Sequence, residues 1–330
     1  ETGMYGAFAL EGGLLQGKIL LNLDSETEGE LYVGCAGGVD TTAKFQYTPV
    51  PVEEGDVAIK ISLTGCKGGH SGCDIHLQRA NANKLLFRFL KDAVANFEAR
   101  LASVEGGSLR NAIPREASAI ITIPAEGVEE IIDLVAEYED LFVTEYEGVE
   151  DNIHFTAEEV ACPTTELPED VQDFLIHAVT ACPHGVYRVI PEMPDVVETS
   201  NNLAMLTTED NCVTVMCLTR SSVESRKEEL QEIIQSVFAM AGAEVEFSGS
   251  YPGWKPNLNS RILGVMQDVY KQEFAAEPRI IIIHAGLECG IIGRNYPGMD
   301  MISFGPTIKY PHSPDERVNI PSVEKFYHFL

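Results

Sequence analysis

"GKILLNLDSETEGE", residues 17–30, sets an apolar run from Lys18 to Leu23 directly against an acidic loop that opens at Asp24. A strand that is apolar at successive positions has no wet face, so the run predicts a buried strand in a parallel sheet covered on both sides. The same style returns near the other end of the chain. "RIIIIHAGLECG" (279–290) and "DMISFGPTIKYPHSPDE" (300–316) are apolar strands that break into polar, glycine- or proline-rich turns. Before them, "NSRILGVMQDVYKQEF" (259–274) spaces Ile262, Val265, Met266 and Val269 for one face of a helix. Together these segments predict αβ elements with their polar residues at the carboxyl ends of strands, where open α/β sheets bind ligands.

The middle of the chain differs in kind. "VAIKISLTG" (57–65), "SAIITIPA" (118–125), "CVTVMCLTR" (212–220) and "AEVEFSG" (243–249) alternate apolar and polar residues, the signature of an antiparallel sheet with one covered face. Three amphipathic helices accompany them: one carries Leu85, Leu86, Phe89, Leu90 and Val94, the next Val128, Ile131, Ile132 and Val135, and the last Leu230, Ile233, Ile234 and Phe238. The succession strand, helix, strand, strand, helix, strand predicts an α+β sheet with its helices on one side. "SYPGWKP" (250–256) is a turn-rich return. The chain therefore divides into an α/β part at 1–38, an inserted α+β domain at 39–250, and the rest of the α/β part at 251–330.

Composition narrows the function. With 51 acidic against 23 basic side chains the net charge is −28, which repels both a phosphate backbone and an anionic bilayer. Nucleic acid and membrane are thereby excluded as partners. No apolar run reaches the roughly 20 residues of a membrane span, and the first residues resemble no secretory leader. The eight cysteines include no C-x-x-C pair and several lie in apolar runs, so they read as reduced core thiols of a cytoplasmic protein. The start, "ETGMYGAFAL", has its first methionine at position 4 and reads as the continuation of a longer chain.

Several polar groups are candidates for chemistry. In "PHSPDE" (311–316), Pro311 and Pro314 stiffen the loop that presents His312, as a ligand or catalytic group would be held; a solvated turn histidine fits the same residues. Asp24 ends its strand at the crevice, whereas Glu26, Glu28 and Glu30 read as a solvated loop. Asp24, Glu1 and His312 form an N/O donor set suited to zinc or another divalent ion, although they are far apart in sequence. "GCKGGHSG" (65–72) surrounds His70 with glycines that permit close backbone approach, as an idle hairpin tip also would. Asn111 in "SLRNAIPRE" and Arg220 at the end of its strand are further polar groups; an arginine can grip a carboxylate through two parallel hydrogen bonds or serve as a surface ion-pair partner. H-E-x-x-H, P-loop, G-x-S-x-G and dinucleotide motifs are absent.

Taken in order, "ETGM", "LNLDSETEG", "GGHSG", "LRNAIPREA", "YPGW", "HAGLECG" and "GPTIKYPHSPDE" resemble the aminoacyl-histidine dipeptidases of the M20 zinc peptidase family, over the whole chain. The resemblance implies an α/β zinc-peptidase catalytic domain, incomplete here, with an inserted α+β lid that forms a homodimer interface. It implies two Zn2+ ions per intact subunit, with Co2+ or Mn2+ as alternatives, and a dipeptide substrate of the Xaa-His type such as β-alanyl-histidine. By position, Glu1 matches a zinc-ligand glutamate, Asp24 the terminal aspartate ligand of the other zinc, and His312 the histidine sharing a zinc with Glu1. His70 resembles the lid histidine that stabilises the oxyanion, usually in the partner subunit's site. Asn111 and Arg220 resemble lid residues that hold the substrate's C-terminal carboxylate, and Gly286 lies on a substrate-binding loop. The family's remaining ligands and its general-base glutamate would precede residue 1, so the resemblance implies an active intact protein and an inactive fragment. Competing readings are another M20 activity, such as a tripeptidase or N-acyl amino acid deacylase, and a non-catalytic dimerisation or binding module.

Overall fold

The computed structural model describes residues 4–309 and 315–330. The chain opens with α1 (Tyr5–Ala9), β1 (Ile19–Asn22) and β2 (Glu30–Cys35). A long excursion follows through β3 (Gly37–Gln46), β4 (Val50–Pro51), β5 (Asp56–Thr64), β6 (Gly69–His70), α2 (Ala82–Asn96), β7 (Arg100–Gly106), β8 (Ala112–Ile113), β9 (Ala117–Pro124), α3 (Val128–Glu145) and β10 (His154–Val160). It continues as β11 (Thr165–Glu166), α4 (Glu169–Ala181), β12 (Gly185–Ile190), β13 (Met193–Glu209), β14 (Cys212–Ser221), α5 (Glu224–Met240) and β15 (Glu244–Tyr251). The chain then returns as α6 (Arg261–Phe274), β16 (Arg279–Ile283), α7 (Glu288–Asn295), β17 (Asp300–Ser303), β18 (Ile308–Lys309), β19 (Arg317–Val318) and α8 (Ile320–Phe329).

The two ends build a four-stranded sheet in the order β1-β17-β2-β16. β1 runs parallel to β17 and β2 parallel to β16, but the halves meet antiparallel at Ser303 and Tyr32. The sheet is therefore mixed, where the apolar runs predicted a parallel one: an unbroken apolar run reports burial, not strand direction. β2 is buried along its whole length, while β1, expected to be buried, leaves Ile19 51% exposed because it is an edge strand. Leu31, Val33, Ile262, Leu263, Met266, Ile282, Ile302 and Phe329 form the core of this sheet. On α6 the apolar stripe is rotated from the expected one, with Leu263 turned in and Val265 47% exposed, because the helix meets α8 as well as β17.

The excursion forms a nine-stranded sheet whose main path is β10-β5-β9-β7-β13-β14-β3-β15. β5, α2, β7, β9, α3 and β10 make one βαββαβ unit. β3, α4, β13, β14, α5 and β15 make another with the same internal order, read from the opposite edge. The first unit is inserted between the first strand and first helix of the second, and they join at Leu206 opposite Gly106. The strand order is thus palindromic about the β7–β13 junction, giving two like units in one chain. A single core runs beneath both, from Ile59, Leu86, Phe89 and Phe155 to Val213, Leu230, Ile234 and Phe238. Phe89 and Phe155 meet edge to face at 5.1 Å. α2 and α5 bury the predicted faces, but on α3 Ile132 is 46% exposed and Leu134 takes its place inside.

Between the sheets the two chain crossings lie side by side. Cys35 and Trp254 exchange backbone hydrogen bonds at 3.0 and 2.9 Å, and the Ala36 amide donates to the Ile283 carbonyl at 3.0 Å. These bonds bring the carboxyl end of β16 against the end of β15.

Candidate substrate site at the junction of the two sheets

His70 sits in a loop tied at its base by one carboxylate. Buried Glu150 accepts the Lys67 amide at 2.7 Å through one oxygen and the Ala80 amide at 2.9 Å through the other. Within the loop, Asp74 accepts the His70 amide at 2.8 Å. The imidazole is fixed as well: Nδ1 accepts the amides of Gly72 and Cys73 at 3.1 and 3.0 Å. A ring nitrogen that accepts carries no proton, so the neutral tautomer has its proton on Nε2, which takes no partner among the described residues. Burial, with the Arg220 guanidinium second and Asp74 opposing both, lowers the His70 pKa and keeps the ring neutral. His70 is thus a neutral Nε2–H donor held in one orientation.

β6 pairs with β8, placing His70 opposite Ala112, and the Ser71 amide donates to the Asn111 carbonyl at 2.8 Å. Buried Asn202 holds this ribbon from beneath, its Nδ2 donating to the carbonyls of Arg110 and Ala112 at 3.1 and 2.7 Å. The His70 loop also presses on the α/β part of its own chain. A Cβ at Gly72 would lie 1.9 Å from the His284 carbonyl oxygen, so only glycine permits this approach. Within one chain the His70 loop thus rests on the loop that carries Gly286.

Across the sheet, strand register lines up Ser200 on β13, Arg220 on β14, Gly38 on β3 and Tyr251 on β15. Directly opposed residues project to the same face, here the face of Arg220 and Leu218, turned from the Val213, Val215 and Cys217 side of β14 that joins the helical core. Ser200 Oγ lies 2.7 Å from His284 Nε2. Arg220 is only 5% exposed, and donates through Nε to Ser71 Oγ at 3.3 Å and through Nη1 to the Tyr251 hydroxyl at 2.8 Å. Among the described residues it makes no ion pair. A buried cation without a carboxylate partner is costly, and a site that supplies one from a ligand removes the cost.

The structure brings His70, Asn111, Arg220 and Gly286 together, linked through Ser71 and Tyr251; a Cβ at Gly286 would sit 3.0 Å from the Tyr251 ring. Asp24 follows β1, exposed, with no hydrogen bond or ion pair to this group among the described residues. Glu1 and His312 lie outside the described residues. Among those residues no group of three His, Cys, Asp or Glu could hold a metal ion. Asp24 alone does not make the three-ligand set that zinc needs. The cysteines are free: Cys73 and Cys162 are exposed and the others buried, so the expectation that they are core thiols holds for most of them. Sequence reasoning did not single out Ser71, Ser200, Tyr251 or His284, although "SYPGWKP" and "HAGLECG" had marked the segments of the last two.

Residues 61–150 match the family model described as the peptidase dimerisation domain (M20_dimer). That range falls within the first βαββαβ unit and its loops. The cytosol non-specific dipeptidase of Escherichia coli (strain K12) is 44% identical over 330 residues, 100% of this chain and 68% of that protein. The crystal structure of the aminoacylhistidine dipeptidase from Vibrio alginolyticus matches with a TM-score of 0.95 at 49% identity, covering 100% of this chain and 67% of the other. The chain belongs to the M20 peptidases and, within them, to the aminoacyl-histidine dipeptidases. Among the described residues, no helix is long and apolar enough to cross a membrane.

Proposed function

We propose that this chain provides the substrate-binding and oxyanion-stabilising parts of a zinc-dependent cytoplasmic dipeptidase, a homodimer acting on Xaa-His dipeptides such as β-alanyl-histidine. The observation that carries the proposal is Arg220: buried, charged, without an ion pair among the described residues, and joined through Ser71 to the loop of His70. A dipeptide's C-terminal carboxylate supplies the missing counter-charge and fixes the substrate's register relative to His70. Asn111, exposed beside this ribbon, offers a side-chain amide to the same carboxylate.

When water attacks the peptide carbonyl, charge develops on the carbonyl oxygen, and the His70 Nε2–H is placed to donate to it. The hydrogen bonds at Nδ1 hold that proton on Nε2, so no reorientation is needed as the charge appears. Burial keeps the imidazole neutral, so it stabilises the oxyanion by hydrogen bonding and does not act as a cation. In this reading His70 and Arg220 of one chain serve the same site. The Xaa-His preference and the zinc requirement rest on kinship, with Asp24 as one ligand beside Glu1 and His312.

In the active enzyme, His70→Ala is expected to lower kcat by about 100-fold or more with little change in KM, because an oxyanion donor acts mainly in the transition state. A loss confined to KM would remove His70 from that role. Mixed dimers of His70→Ala and Arg220→Ala subunits should stay inactive if both residues come from one chain; restored activity would mean they come from different chains. Rates on β-alanyl-histidine, a tripeptide and an acetylated amino acid separate the dipeptidase from a tripeptidase or deacylase. Loss of bound zinc on Asp24→Asn tests the ligand assignment by elemental analysis.

A further inference from the structure

Arg220 and Tyr251 lie on strands separated by β3, about 9.5 Å apart at ordinary strand spacing, yet their side chains meet at 2.8 Å. Two local features allow this. At the end of β15 the register slips, so that Ser248 opposes Asp40 but Tyr251 opposes Gly38: three steps on one strand answer two on the other. Gly249 takes up this extra residue at φ +59. The bulge puts Tyr251 in line with Arg220. Gly38 stands between them, and a Cβ there would lie 2.7 Å from both the ring Cζ and the hydroxyl oxygen. The tyrosine therefore crosses β3 through the gap left by a missing side chain. Gly286 closes the far side of the ring at 3.0 Å from where its Cβ would be.

We infer that Tyr251 is a positioning residue for Arg220, and that the Arg220–Gly38–Tyr251 row sets the enzyme's demand for a free C-terminal carboxylate. The inference rests on Arg220 as the carboxylate anchor. A carboxylate in place of Tyr251 would hold the guanidinium but neutralise it. A hydroxyl accepts one N–H and leaves the charge for the substrate. Ser71 fixes Nε and Tyr251 fixes Nη1, while Nη2 makes no hydrogen bond among the described residues. The fork is thus oriented before substrate arrives, which lowers the ordering cost of a two-point grip.

The test compares β-alanyl-histidine with its C-terminal amide in the active enzyme and in Arg220→Ala, Tyr251→Phe and Gly38→Ala. Tyr251→Phe is expected to raise KM for the free dipeptide about 10-fold, the loss of one preorganising hydrogen bond, and to leave the amide within about twofold. Gly38→Ala should displace the ring and reproduce this, and the double variant Gly38→Ala/Tyr251→Phe should be no worse than either single one. If Arg220→Ala weakens both substrates equally, the carboxylate anchor itself falls. If Arg220→Ala discriminates between them but Tyr251→Phe does not, the anchor stands and the positioning role is overturned. Tyr251→Phe keeps the ring, so it decides the matter even if Gly38→Ala fails to fold.

Discussion

In the first βαββαβ unit, β5 turns Ile59, Ile61 and Leu63 into the core and Lys60, Ser62 and Thr64 outward. In the second, β13 carries Thr199, Ser200, Asn201 and Asn202 with no exposed surface at all. The strand order is the same, and the surroundings are not. The outward face of the first unit lines an open cleft of ≈ 770 Å³ that includes Lys60, Ser62, Thr64 and Arg115. The corresponding face of the second is covered by the β6–β8 ribbon and by His284. Polar side chains on a sheet face are ordinary where water reaches them. Once covered, each needs a partner: on this face Ser200 finds it in His284 and Asn202 in the ribbon carbonyls, while Thr199 and Asn201, turned to the other side, bond to Ser221 and to the Pro183 carbonyl.

The largest expected effect separates core from site in the first unit. Phe89→Ala, which removes a ring packed on Phe155 and Tyr138, should cost about 3–5 kcal/mol of stability in urea denaturation while activity per folded molecule is retained. If activity falls in step with stability loss under fully native conditions, the first unit is not the passive support this comparison makes it.

Two buried histidines, His284 on the covered face and His184 beside Asn81 at the N-cap of α2, also predict acid sensitivity. Burial pushes His184 and His284 down to about 3, helped by the positive charges of Lys84 and Arg220 respectively. Between the ordinary value of 6.5 and about 3, the unfolded chain binds these protons and the folded chain does not, so stability falls as pH drops through that window and is unaffected above it. Each histidine contributes about 1.4 kcal/mol per pH unit. Melting temperature measured from pH 7 to 5 should show the fall, and His284→Asn should remove part of the slope; an unchanged slope would mean His284 is not held neutral.

A smaller effect compares the two faces directly. Asn202→Ala leaves the Arg110 and Ala112 carbonyls without their donor and should cost about 1–2 kcal/mol, whereas Ser62→Ala on the open face should stay within about 0.5 kcal/mol. Equal costs in thermal unfolding would erase the distinction between covered and open faces.

Much of the fold was legible because periodicity is local. Alternation in "VAIKISLTG" and near-continuous apolarity in "RIIIIHAG" distinguish the two kinds of sheet within a few residues each. The mixed direction of the small sheet was not legible, because β17 and β2 meet only through a pairing between Ser303 and Tyr32. Nor was the nesting of one unit in another, since strand order depends on which distant edges meet. Of the site, His70, Asn111, Arg220 and Gly286 stood out through their motifs. Glu150, which ties the His70 loop at Lys67 and Ala80, had no motif to announce it.

The sequence by itself determined the kinds of element, the kinship with M20 dipeptidases, and an acidic surface unsuited to nucleic acid. Only the tertiary structure decided that Tyr251 reaches Arg220 across Gly38, that Ser200 and Asn202 are buried beneath His284 and the β6–β8 ribbon, and that His70 carries its free proton on Nε2. The physical reason is register. An extra residue at the end of β15 changes which side chain stands opposite Gly38, and that energy difference lies in contacts between strands far apart in the chain.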